Sequence, residues 1–227
     1  GAVNLDQAKR IIDAVKQNNV RFFISYQRRF HPLALKAKEI LSDNQLGKIM
    51  SIQATVHSYV PDWHPYENFL ELYACRKDLG GGVLRTEIHE LDFLNWVFGT
   101  PISLKAAGGC RGPYKMDVED SAEILMNYGS YVAQVNLCFM QKKQERRISI
   151  HGQDGWLELD FIGNILKVKY NSSTEESEYI ESIDNDSLFR RQADFFFNRF
   201  TLEDNRYCEA LLTNTKVVDQ SLLQISK

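Results

Sequence analysis

DSAEILMNYGSYVAQVNLCFMQ, residues 120–141, holds two strand-length runs joined by the turn YGSY. A turn this short brings its flanking strands back antiparallel. The pattern extends in both directions. SLKAAGGCRG (103–112) precedes it, and RRISIHG (146–152), GWLELDF (155–161), ILKVKY (165–170) and SEYIESI (177–183) follow, with GQDGW as another tight turn. Upstream, MSIQATVHSY (50–59) alternates, with Met50, Ile52, Ala54 and Val56 on one face and Ser51, Gln53 and Thr55 on the other, as a half-buried strand does.

Helical periods flank these strands. Ala8, Ile11, Ile12 and Val15 recur at helical spacing, with Asn4 or Asp6 as the cap. Pro32 suits a first helical turn, and Leu33, Ala37, Ile40 and Leu41 continue that helix. Two helices close the chain, one carrying Leu188, Gln192, Phe196 and Phe200, the other Val217, Val218, Ser221, Leu222 and Ile225. The fold class expected is α+β: a large, mostly antiparallel open sheet with helices packed on one face. The other face carries Tyr, Gln, Asn and Thr as well as charges, a composition suited either to water or to another subunit.

The first 26 residues are different. A helix runs straight into VRFFISY (20–26), which reads as a buried strand with no preceding strand to pair with. They read as the tail of an α–β unit whose preceding strand is missing, as expected of part of a longer protein.

Composition narrows the function classes. The 227 residues are 44% hydrophobic and 25% charged, with a net charge of −3 and acids and bases interspersed. No basic stripe suggests a nucleic-acid partner, and no apolar run suggests a membrane span. A chain this long buries about 70% of its unfolded surface without staples. Its four cysteines are scattered without a CxxC pair, which fits reduced thiols in a cytoplasm, and no signal peptide is expected.

The chemistry is concentrated in GGGVLRTEIHELD, residues 80–92. Thr86, His89 and Asp92 lie near one helix face, and Glu87 and Glu90 accompany them. Histidine exchanges a proton near neutral pH, so this is either a catalytic corner or a turn followed by a helix with a satisfied, partly buried histidine. The glycines match neither GxGxxG nor GxxxxGK[ST], and HELD is not HExxH; no metal site is expected. WHPYE (63–67), with Trp63, and the nearby Tyr73, Arg76 and Lys77 offer stacking and anion-binding groups, or simply a packed loop. YQRRF places Tyr26, Gln27, Arg28 and Arg29 at a strand end, where open α/β sheets hold ligands.

In this order, VRFFISYQRRFHP, NQLGKIMSIQA, DLGGGVLRTEIHELDFLNWVFG, VEDSAEILMNY, IHGQDGWLELD and the tail from Cys208 to Ser221 resemble the glucose–fructose oxidoreductase / inositol dehydrogenase superfamily. WHPYE and ACRKD resemble members associated with nucleotide-sugar and surface-polysaccharide pathways. The resemblance implies an N-terminal dinucleotide-binding Rossmann domain for NAD or NADP, truncated here so that residues 1–27 are its last helix and strand, with a Glu-Lys-Pro segment just before residue 1. It also implies a C-terminal substrate and oligomerisation domain over residues 28–227, whose open sheet often forms the interface of a homo-oligomer. It implies that this chain alone neither holds the dinucleotide tightly nor catalyses.

On the matching positions, His89 becomes the proton-relay histidine and Asp92 an orienting acid. Thr86 stands where many members carry Asp, which leaves Glu87 or Glu90 as substitutes. Tyr26, Gln27, Arg29, Trp63 and Tyr73 become pocket walls, joined by Thr86, Glu87 and Asp92 as substrate-binding residues. The implied partner is a sugar, nucleotide sugar or polyol. A non-catalytic sugar-binding or assembly module and an NAD-dependent glycosidase are the alternatives.

Overall fold

The structure, a computed structural model, describes residues 2–201 and 204–225; Gly1, Leu202, Glu203, Ser226 and Lys227 lie outside the described residues. Among the described residues six α-helices and eight strands form one sheet with a helical layer. The helices are α1 (Leu5–Asn18), α2 (Pro32–Ser42), α3 (Val83–Thr86), α4 (Ile88–Phe98), α5 (Asn185–Asn198) and α6 (Arg206–Ile225). The strands are β1 (Ile49–Tyr59), β2 (Ser103–Gly109), β3 (Ser121–Asn127), β4 (Val132–Cys138), β5 (Met140–Gly152), β6 (Gly155–Asp160), β7 (Ile165–Tyr170) and β8 (Glu176–Ile180). Among the described residues no helix is long and apolar enough to cross a membrane.

The strands follow the order β2-β3-β4-β1-β5-β6-β7-β8. Every pair is antiparallel except β1 and β4, which run parallel with Ala54 opposite Val135. The two-residue side-chain period sorts the faces. Ile52, Ala54, Val56, Ile124, Val135, Ile148 and Ile150 are buried beneath the helices, and Gln53, Gln134 and Ser149 occupy the reverse face. Met50 departs from the expected inward set and is 57% exposed, because the β1–β5 ladder shifts register between Ile49 and Ser51. A bulge of this kind turns a side chain out of the alternation.

Local signals explain the helix boundaries. Asn4 caps α1, its side chain accepting from Gln7 N at 2.9 Å, and Asn19 ends the helix in the left-handed region. Pro32 opens α2 where its missing N–H costs nothing, and His31 Nδ1 accepts from Leu33 N. At α3 the cap comes from afar: Glu119 accepts from Leu84 N through its carboxylate and from Val83 N through its carbonyl.

Residues 20–26, expected as a strand, form no ladder. A ladder needs a neighbouring strand, and none lies beside this segment among the described residues. Side chains hold it instead: Phe23 packs against Phe30, Phe195, Phe196, Phe200 and Tyr207, with ring centroids 4.4–6.2 Å away. α1 is fastened to α6 through a small core of Ala8, Ile12 and Leu211.

The face assignment makes a measurable demand. Ile150→Ala should cost about 2–5 kcal/mol in urea unfolding, as large-to-small core substitutions do. Gln53→Ala on the reverse face should stay within about 0.5 kcal/mol of the parent protein.

Candidate functional site

A cavity of about 400 Å³ opens where the chain's first residues, the segment 24–26, the α3–α4 corner and α6 meet. Its walls include Val3, Tyr26, Tyr73, Arg85, Thr86 and His89, with Asn214 and Thr215 from α6. Four of the nine expected site residues thus converge: Tyr26, Tyr73, Thr86 and His89. The polar atoms Thr86 Oγ1 and His89 Nδ1 are buried with no hydrogen-bond partner among the described residues. Unpartnered buried polar atoms are uncommon in folded proteins and mark positions where water or a ligand completes the site.

The imidazole of His89 lies edge-on to the Tyr26 ring at 6.4 Å. Burial, reinforced by the Arg28 guanidinium, lowers its pKa to about 3. His89 is therefore a neutral ring at physiological pH, able to accept or donate one hydrogen bond at each nitrogen. Tyr26 is held above its ordinary range by burial and by the Asp92 carboxylate, so it stays a phenol.

The glycine run does not reach a ligand. Gly80 N, Gly81 N and Gly82 N donate to the carbonyls of Lys77, Arg76 and Ala74, leaving no free N–H to cradle an anion. A Cβ on Gly81 would stand 2.2 Å from the Tyr73 carbonyl oxygen, so this glycine is required by the close approach of backbone. The run is a packing device that fixes the start of α3 over the core.

Five expected residues lie elsewhere. Asp92 accepts from Arg29 Nε at 2.8 Å and Arg29 Nη2 at 2.7 Å, so both are committed to a buried bidentate pair. Their charges neutralise each other away from the cavity, which they support from behind: Asn214 Nδ2 donates to Asp92 Oδ1 at 2.7 Å and takes a bond from Asn95 on its other side. Glu87 lies under the sheet-facing side of the corner, paired with Arg146 and accepting from Ser58 Oγ. Trp63 stands edge-on against Phe139 in the core at 5.6 Å. Gln27 begins the single turn Gln27–Phe30 and does not line the cavity. Helix α3–α4 breaks at Glu87, whose backbone leaves the helical region (φ −95, ψ 39), so the continuous face that would align Thr86, His89 and Asp92 does not exist.

Sequence reading missed Asn214, Thr215, Arg85 and Arg146. Asn214 and Thr215 had a signal, since they interrupt the apolar face of α6 formed by Leu211 and Val218. Arg85 donates to the carbonyls of Gly81 and Val3, closing the corner onto the chain's first residues. Arg146 had no local signal. It lies opposite Val56 in the β1–β5 register, hence on the helix side, and reaches both Glu87 and Glu90, the latter with its Nε at 3.4 Å. Among the described residues no three His, Cys, Asp or Glu side chains converge on a metal position.

Glu90 is wholly buried, and neither carboxylate oxygen accepts a hydrogen bond. Burial raises its pKa from 4.5 to about 7, against the pull of Arg28. A raised folded-state pKa means the native chain binds the proton more tightly than the unfolded one. The stabilisation is complete below about pH 4.5 and is lost as pH rises through about 7. Glu90→Gln, which mimics the protonated acid, should therefore gain stability relative to the parent protein as pH rises across that window. Parallel denaturant curves at pH 4.5 and above 7 check this, and a constant difference would mean that the carboxyl titrates alike in the native and unfolded states.

The sequence model of the GFO/IDH/MocA C-terminal domain matches residues 34–158. "Oxidoreductase P35" of Formosa agariphila is 24% identical over 179 residues, which cover 78% of this chain and 55% of that protein, so the chain spans about half the length of this curated relative. Among solved structures, a levoglucosan dehydrogenase in complex with NADH and levoglucosan superposes with a TM-score of 0.85 at 17% identity, over 99% of this chain and 69% of that one. The super-repressor mutant of Gal80p from Saccharomyces cerevisiae superposes at 0.81 with 20% identity, over 98% and 67% of the respective chains. With the domain matched across more than half of its length, the chain belongs to the GFO/IDH/MocA family.

Proposed function

We propose that the chain forms the substrate-binding part of an NAD- or NADP-dependent oxidoreductase acting on a sugar, a nucleotide sugar or a polyol. The observation that carries this reading is the cavity in which His89 Nδ1 and Thr86 Oγ1 lack partners beside the Tyr26 ring. A polyhydroxylated ring offers the donors, acceptors and apolar faces that such walls complement. The levoglucosan dehydrogenase solved with NADH and levoglucosan supports the choice of a sugar-like ligand.

The described residues do not fit the dinucleotide's phosphates, because the glycine N–H groups that could hold them are spent on backbone carbonyls. The proposal assigns the dinucleotide to a separate portion of the whole protein, where it supplies or accepts a hydride. This chain's part is positioning and proton handling. His89, neutral at physiological pH, accepts the hydrogen bond of the reacting hydroxyl and orients it. Because burial disfavours the imidazolium, His89 acts as a neutral hydrogen-bond acceptor that orients the hydroxyl and does not hold its proton. Thr86 orients a second hydroxyl but has no basicity to serve as a base. Asn214, fixed by Asp92, forms part of the same wall.

In the whole enzyme His89→Ala should lower kcat/KM by about 10²-fold, the scale of general acid–base catalysis. The parent's pH–rate profile should show no limb near 6.5 that disappears with the histidine. Unchanged turnover in the variant would remove His89 from the reaction. A second reading, a regulatory or binding module without turnover, draws on Thr86 and on the likeness to Gal80p. It predicts calorimetric sugar binding with no reduction of either dinucleotide.

The proposal extends to self-association through the helix-free face of the sheet, where Leu125 and Val132 are exposed among polar side chains. Light scattering at micromolar concentration should give a mass above that of the monomer; Leu125→Lys should lower it, and a monomeric parent would end this part of the proposal.

A further inference from the structure

A second cavity, of about 320 Å³, lies between the Gln27–Phe30 turn, α4, α5 and the start of α6. Its apolar surface comes largely from aromatic rings, among them Trp96 and Tyr207, and its charged lining is four arginines, Arg29, Arg191, Arg199 and Arg206, and one carboxylate, Asp194. Lys38 Nζ stands 5.1 Å from the centre of the Trp96 ring and adds another positive charge at the edge. Only three carboxylates offset these five cations among the described residues: Asp92 on Arg29, Asp194 on Arg199 at 3.4 Å, and Asp204 on Arg206 at 2.8 Å. In a chain whose net charge is −3, this is a local reversal of sign.

The free polar groups share one character. Arg191 has no carboxylate partner among the described residues, and the Trp96 indole N–H makes no hydrogen bond there. Both are donors that accept nothing. Flat rings beside a guanidinium suit a flat anion, which stacks on the rings and pairs with the planar donors of arginine. Part of the wall is already rigid, because Asp92 holds Arg29 with two hydrogen bonds, so little conformational freedom is lost when the cavity fills.

We propose that this cavity is a binding site for a small organic anion with a planar ring, an aryl phosphate or carboxylate, distinct from the cavity at His89. Arg191 and Arg206 contact the anionic group, and Trp96 and Tyr207 the ring. This assignment does not rest on the proposed oxidoreductase reading. Tyr26 and Arg29 are three residues apart yet line different cavities, so an occupant of one need not enter the other.

Titration calorimetry with phenyl phosphate tests the proposal directly, using inorganic phosphate and phenol as separate probes of its two halves. Phenyl phosphate should bind saturably, and each half alone should bind at least about tenfold more weakly. Arg191→Gln, a change on the exposed side of α5, should weaken phenyl phosphate about tenfold or more, the effect of losing one charge-assisted pair. Trp96→Leu should weaken it further while leaving inorganic phosphate unaffected. Circular dichroism establishes that both variants are folded. Absence of saturable binding, binding indifferent to Arg191→Gln, or binding abolished by Thr86→Val in the other cavity would each overturn the assignment.

Discussion

The buried pair between Arg29 and Asp92 ties together the elements on which both cavities depend. Arg29 comes from the turn that leads into α2, Asp92 from α4, and Asn214, bonded to the same carboxylate, from α6. Three segments far apart in sequence are thereby held at fixed separation. Two charges taken out of water are tolerated only because the geometry is bidentate and the remaining lone pairs find donors. Removing one partner would strand the other in a medium that solvates it poorly, so the pair is a constraint on the architecture before it is a source of stability.

A second set of buried charges governs the α3–α4 corner. Glu87 and Glu90 face Arg146 from β5, with Arg28 close enough to act on both Glu90 and His89. Guanidinium groups do not deprotonate in proteins, so the positive charge is permanent and the titratable groups adjust to it. The consequence at the cavity is a histidine kept neutral and a carboxyl group shifted upward. The corner's chemistry is set from below, by residues that line neither of the two cavities described.

Much of the fold was legible because many of its signals are local. The antiparallel runs from 103 onward, the Asn4 cap and Pro32 at a helix start depend on alternation, side-chain capping and a fixed φ, all contained in a few neighbouring residues. Where an outcome depended on a distant partner, the reading failed. Residues 20–26 have the composition of a strand but no neighbouring strand among the described residues, and the packing of Phe23 against other rings holds their path instead. Met50 fits the alternation and is turned out by a bulge that only the pairing with β5 reveals.

For the candidate site the division is sharper. The sequence by itself determined that chemistry-bearing side chains cluster at residues 86–92, and that the sheet would carry helices on one face. Only the tertiary structure decided which of those side chains face a cavity: Thr86 and His89 do, while Glu87 and Asp92 turn to Arg146 and Arg29. The physical reason is that a helical segment presents its side chains in all directions. A break of one residue at Glu87 and the placement of two arginines from elsewhere in the chain determine which direction is inward. Spacing along the chain carries no information about those partners.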